Sequence, residues 1–303
     1  MCEAIVEDPT AVLLRQLDEK KKTKLMELKA EGVEYEERMA ELEKIDIDRP
    51  LADFLEMEIT AAVAKWPWLA VGELRPKSVA RMIFERALTF QEYVRELGLE
   101  RSEGVLLRYL SDAYKALKQT VPANSKTEAL LELEDWLGTL VRGVDASLLD
   151  EWERLRLASE AGPSELAAPT AEVEPQVRDV TRDVRGFTVM VRNAAFRLVQ
   201  LLSRRRYDEV ATSVRGPDGR AWTGEAIAAQ MAPFWDEHTA LDASPAARAP
   251  DLVAIEHDEA AWIVRQTLLD VDEARTFVLR LRVLLESSRD EGAPVLELVE
   301  IGR

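Results

Sequence analysis

Cysteine is nearly missing from this 303-residue chain, with Cys2 the single example. No internal disulfide can form, which fits a reducing compartment. Histidine is almost as scarce, at His238 and His257, so no Cys/His cluster exists to hold a structural zinc. No apolar run approaches the ~20 residues that cross a bilayer. Glu3, Glu7 and Asp8 stand where a secretory signal would place cations. These absences predict a cytoplasmic protein without a membrane partner. Also missing is a glycine-rich loop ending in Gly-Lys-Ser/Thr, so no cofactor is expected in this chain.

Acid, by contrast, is abundant. The net charge of −17 keeps the chain soluble and excludes a whole-surface nucleic-acid coat, because polyanions repel one another. The charge is uneven. From Arg75 to Lys118 there are 9 basic and 6 acidic groups, so this stretch is locally positive. A hydrophobic content of 47% supplies sizeable cores, and the length favours two domains.

The segment Ala158–Pro175, ASEAGPSELAAPTAEVEP, is rich in Ala, Pro, Glu and Ser and lacks a helical period. It reads as a solvated linker. The expected organisation is a helical domain over 1–157, a linker over 158–184 and a small α+β domain over 185–303. The fold class is therefore mainly α, with an N-terminal helical bundle ahead of the α+β part.

In the first part, Asp8-Pro9 predicts a helix start with Asp8 as its cap. Helices are expected over Thr10–Lys29, Tyr35–Lys44, Leu51–Ala64, Ser78–Leu97, Glu103–Thr120, Lys126–Val141 and Ser147–Leu157. Pro67 breaks the third. Trp66 and Trp68 beside it read as core plugs more readily than as a stacking platform. Gly138 and Gly143 mark places where backbones approach closely.

In the second part, two helices are expected, Thr188–Ser213 and Thr223–His238. The first buries Val191, Ala195, Leu198, Val199 and Leu202. The turn Gly216–Gly219 separates them. The period then switches to two, and strands are expected over Leu252–Glu256, Trp262–Leu268, Thr276–Glu286 and Val295–Ile301. Phe277, Leu279, Leu281, Val283 and Leu285 share a face, with Arg280 and Arg282 opposite. Arg289–Gly292 reads as a turn. Two helices and a curled antiparallel sheet follow the element order of the nuclear transport factor 2-like cone, an analogy of order alone.

Chemistry is sparse. His238 or His257 as a base, with Asp236, Glu237 or Asp258 nearby, competes with simple surface solvation, which is the better reading. Trp222, Trp235 and Trp262 line a pocket or fill a core. On the helix Glu103–Thr120, Val105, Leu106, Tyr109, Leu110, Ala113 and Leu117 form the expected buried stripe. Arg108, Ser111, Lys115, Lys118 and Gln119 form the opposite side. A basic helix side either faces bulk water or grips successive phosphates. On the residues alone, water is favoured.

The stretches VEDPTAVL, KAEGVEYEERM, LRPKSVARMIFERALTFQEYV, LERSEGVLLRYLSDAYKALKQTVP and VDASLLDEWERLR resemble the uncharacterised domain C-terminal to the motor of certain bacterial DEAD/DEAH-box helicases. VRNAAFRLVQLLSRRRYDEV resembles the tail of the same proteins. More distantly, Ser102–Tyr109 (SEGVLLRY) is similar to an element of the helical C-terminal domain in exosome-associated RNA helicases. There a long helix lies across the exiting strand as a ratchet. The resemblance marks Glu103, Gly104, Leu107 and Arg108, while Val105 replaces the usual Ser or Asp. Asp258-Glu259-Ala260-Ala261 and Asp272-Glu273-Ala274-Arg275 share three letters with the helicase Asp-Glu-Ala-Asp/His motif. Without a P-loop they read as acidic turns, and no pair of Gly-Arg repeats supplies arginine fingers.

The resemblance implies a non-catalytic region of an ATP-dependent RNA helicase. Its two motor domains would precede Met1 and would hold the ATP and Mg. Its partners would be those motor domains, in cis or in trans, and single-stranded RNA or DNA. Arg108, Lys115 and Lys118 are the expected phosphate contacts, with Arg81 and Arg86 secondary. Two other readings stay open: a protein-interaction module without nucleic-acid contact, and a ligand-binding cone in 185–303.

Overall fold

The computed structural model of the chain describes residues 7–68, 77–145, 149, 152–153, 179–258, 261–270 and 275–303. It is mostly helical, with a small antiparallel sheet near the C-terminus. The chain divides into two compact units. One holds residues 1–84 and 88–154; the other holds 85–87 and 155–303. Most of the expected linker, and Cys2, lie outside the described residues. The linker's last residues form a 3₁₀ turn, Val180–Arg182, and the start of a helix.

The first unit is built from α1 (Thr10–Ala30), α2 (Tyr35–Glu43), α3 (Ala52–Lys65), α4 (Val79–Glu85), α5 (Phe90–Leu97), α6 (Glu103–Thr120) and α7 (Glu128–Arg142). Gly32, at φ 74°, ends α1 in a left-handed turn, and Val33 N–H reaches back to Leu28 O at 3.1 Å. The single helix expected over Ser78–Leu97 is instead two. Ala87 turns the backbone to φ 49°. Thr89 Oγ1 accepts from Glu92 N–H while Glu92 Oε2 accepts from Thr89 N–H. This reciprocal capping box starts a new helix where the apolar period runs straight through.

Asp8 also departs from expectation. It makes no cap bond to its own helix, whose N-cap is Pro9. Its buried Oδ2 accepts from the backbone N–H groups of Ser78 and Val79, the latter at 3.0 Å. Asp8 thus caps α4, seventy positions along the chain. Burial pushes its carboxyl above the usual range, opposed by hydrogen bonds from Tyr109 and the two amides. Gln16 ties the same region together: it donates to Tyr93 Oη at 2.8 Å and accepts from Ser78 Oγ at 2.7 Å. Removing the Asp8 cap orphans two buried amides. We expect Asp8→Ala to cost about 1–2 kcal/mol in urea unfolding and Asp8→Asn clearly less.

Trp66 and Trp68 are not core plugs. They are 37% and 77% exposed: Pro67 ends α3, and the Lys65 ammonium lies over the Trp66 ring.

The second unit packs α8 (Val184–Ser203), α9 (Tyr207–Ser213) and α10 (Gly224–Glu237) with β1 (Val253–Glu256), β2 (Ala261–Leu268), β3 (Phe277–Leu284), α11 (Leu285–Glu291) and β4 (Leu296–Gly302). The expected helix Thr188–Ser213 is broken at Arg205, whose φ is 56°. The expected strand Thr276–Glu286 stops at Leu284, and the expected turn at Arg289–Gly292 is the end of α11. The sheet is an antiparallel meander in the order β1-β2-β3-β4, with Val264 opposite Leu281 and Leu281 opposite Leu298. Its covered side and the α8 stripe Val191, Ala195, Leu198, Val199 and Leu202 belong to one core. Each such Val or Leu side chain contributes about 1.5–3 kcal/mol of burial. On the other side Arg265 lies directly opposite Arg280. These like charges are balanced by Glu256 and Glu300.

The outer edge of β4 is occupied along its length. Arg215 N–H donates to Leu296 O and Arg215 O accepts from Leu298 N–H, each at 2.8 Å. Trp222 Nε1 donates to Leu298 O at 3.0 Å. Gln230 Oε1 accepts from Ile301 N–H at 2.8 Å.

Candidate nucleic-acid interface

The helix α6 carries three of the five expected phosphate contacts. Its buried residues are Leu106, Tyr109, Leu110, Ser111 and Tyr114. Ser111, expected on the polar side, is buried, and Val105, expected in the apolar stripe, is 53% exposed. The hidden side is therefore rotated toward the flank that bears Ser111 and Lys118. The cause is α7, which packs along α6. Gly138 of α7 makes the approach possible: a Cβ there would stand 2.9 Å from the Tyr114 ring.

This rotation separates the cations. Lys118 faces α7, where its Nζ lies 2.7 Å from Glu134 Oε1. The other Glu134 oxygen takes Lys126. Burial works against the Lys118 charge, but the carboxylate outweighs it and raises the ammonium above its ordinary value. Burial likewise opposes the Glu134 charge, and the two lysines hold that carboxyl below the usual range. Beyond them, Tyr114 Oη donates to Glu153, and Arg142 Nη2 lies 2.6 Å from the same oxygen. Burial, then the Glu153 bond, pushes the phenol up. Lys118 thus belongs to an internal ion network and not to an outward row with Arg108.

What faces outward on α6 is Gly104, Val105, Arg108, Asp112 and Gln119, with Lys115 half-buried beside them. Arg108 makes no ion pair among the described residues. Asp112 stands between Arg108 and Lys115 on this surface, so the face carries two cations and one carboxylate. Arg81 lies on α4, half-buried and engaged with a neighbour. Arg86 is also engaged, and it is grouped with the second unit.

In the second unit His238 follows α10, and its Nδ1 lies 2.7 Å from Asp270 Oδ2. The partner is none of the sequence neighbours Asp236, Glu237 or Asp258. The ring packs against Phe234 and Phe277. His257 lies over Trp262, 4.2 Å between centroids. Trp235 Nε1 donates to Tyr207 Oη at 2.9 Å, and Trp262 meets Phe187 edge-on within the core. A cleft of about 340 Å³ opens where α9 and α10 begin, lined by Arg205, Arg206, Tyr207, Asp208, Glu209 and Glu225 among others. Neither histidine lines it. Sequence reasoning missed Asp270 and the Tyr114–Glu153–Arg142 contact, for which no local signal exists.

Among the described residues, no group of three His, Cys, Asp or Glu side chains is placed to hold a metal, and no helix is long and apolar enough to cross a membrane. No curated protein and no solved structure matches the chain. The family model described as Domain of unknown function (DUF3516) matches residues 1–301, and the chain belongs to that family.

Proposed function

We propose that this chain is the non-catalytic C-terminal region of an ATP-dependent RNA helicase. In this reading its first unit packs on the motor domains and guides single-stranded nucleic acid leaving them, RNA in the first place. ATP and Mg would be held by the motor domains. The observation that carries the reading is Arg108: an exposed guanidinium on α6 with no ion pair among the described residues, inside the element SEGVLLRY that resembles the ratchet helix of exosome-associated helicases. Lys115 supports it about two turns further along the same side. Lys118 does not, since Glu134 already neutralises it.

Two cations predict a modest electrostatic footprint. In the chain joined to its motor domains, Arg108→Ala/Lys115→Ala is expected to reduce the salt slope of single-stranded RNA binding by about 1–2. Lys118→Ala is expected to leave the slope unchanged and to lower the thermal midpoint instead. An unchanged slope in the double variant would remove α6 from the strand path. The reading of 185–303 as a ligand-binding cone gains no support from the histidines, which pack against aromatic rings and not into the cleft.

A further inference from the structure

The helix α3 is apolar on two opposite sides. Leu55, Ile59, Ala62 and Val63 form one stripe and are half-buried. Phe54, Met57, Ala61 and Ala64 form the other, at spacings of three, four and three, and all four are exposed. Trp68, past the end of the helix, is exposed as well. An apolar stripe on a helix is normally turned to a packing partner, yet among the described residues none of α3 is buried. A heptad-spaced stripe is one half of a helix–helix seam.

Charge decides what completes the seam. Asp53 and Glu56 flank it on one side and Glu58 on the other, and none of them makes an ion pair among the described residues. Lys65 is drawn onto the Trp66 ring, 4.7 Å from its centroid. Ahead of the helix the charges offset one another, since Asp48 pairs with Lys20 and the exposed Arg49 follows Asp46, so the acid of this face is that of Asp53, Glu56 and Glu58. A second copy would set these carboxylates against their own kind in either orientation, since Glu58 lies near the middle of the stripe. Nucleic acid and anionic lipid are repelled for the same reason. A cationic apolar partner is attracted.

We propose that α3 is a docking helix for a basic amphipathic helix of another protein. The partner supplies large apolar residues over Ala61 and Ala64, with Lys or Arg beside them to meet Asp53, Glu56 and Glu58. This inference does not depend on nucleic-acid guidance by α6.

The test uses the full chain and two synthetic amphipathic peptides of about three heptads. Both carry the same Leu/Ala seam, flanked in one by Lys and Arg and in the other by Glu. Anisotropy of the labelled basic peptide is expected to saturate, to weaken with salt and to fall at least about tenfold in affinity in Phe54→Ala/Met57→Ala. Ala61→Arg, which blocks the seam without deleting a contact, is expected to do the same, and circular dichroism to stay unchanged in both variants. The acidic peptide is expected not to bind. Absence of binding by the basic peptide, or equal binding by the variants, overturns the proposal. Self-association of the chain that Ala61→Arg abolishes, or flotation with phosphatidylglycerol vesicles, also overturns it by giving the face to another occupant.

Discussion

Glu134→Ala is expected to lower the stability of the first unit by about 3–4 kcal/mol, measured by urea unfolding. Its carboxylate is the shared counter-ion of Lys118 and Lys126. The Lys118 side chain is 28% exposed and can swing into water. That of Lys126 is 7% exposed and cannot. Deleting one partner of a buried ion network leaves an uncompensated charge, which costs more than the network contributes as a whole. For that reason Glu134→Leu combined with Lys126→Met is expected to recover most of the loss. The pH dependence has a definite sign. A carboxyl held below its ordinary 4.5 contributes stability above that value and loses it as pH falls through the folded-state value. Glu153 behaves alike. Asp8 is raised above 3.8, so its buried charge penalises the folded state at neutral pH and is relieved on acidification. Melts between about pH 3 and 7 are therefore expected to show a steep acid limb that flattens in Glu134→Gln.

Gly216→Ala is expected to destabilise the second unit by about 2–3 kcal/mol. A Cβ at Gly216 would fall 2.0 Å from Arg220 O, a backbone atom of the adjoining turn. Gly216 cannot retreat without moving its neighbour Arg215, whose amide and carbonyl both bond β4, and the Arg220 side is closed by the turn bond from Arg220 N–H to Pro217 O. Gly224→Ala provides the comparison. Its Cβ would meet Asp208 Oδ1 at 2.1 Å, a surface carboxylate that can rotate away, and the Asp208 backbone N at 3.1 Å, which has to give by only a few tenths of an ångström, so a smaller loss of about 1 kcal/mol is expected. Equal thermal midpoints for the two variants would mean that the Gly216 turn is softer than its geometry implies.

The elements whose burial follows their own period were legible in the sequence. The α8 stripe Val191–Leu202 and the alternation of Phe277, Leu279, Leu281 and Val283 are of this kind, because one periodic face meets one continuous core. Breaks inside continuous periods were not. The apolar spacing passes through Ala87 uninterrupted, and the polar run Ser203–Arg206 reads as readily as a wet helical turn as it does as a break; a positive φ at a non-glycine residue leaves no compositional trace. The Thr89–Glu92 capping box was in plain view, but a helix-length apolar pattern outweighed it. The α6 face failed for another reason. Lys118 lies about 80° from Arg108 on a helical wheel, on the flank of Ser111, and nothing in the spacing tells that α7 and its Glu134 cover that flank. The same holds for Asp8 with Ser78 and for His238 with Asp270, pairs set by tertiary contact and not by spacing.

A sheet whose last strand offers open amides and carbonyls is a template on which other chains can polymerise. Here the backbone of Arg215, the Trp222 indole and the Gln230 amide take up those groups on β4, and β1 at the far margin is four residues long. Three polar groups spaced along a single strand thus leave few open groups there on which a further chain could add.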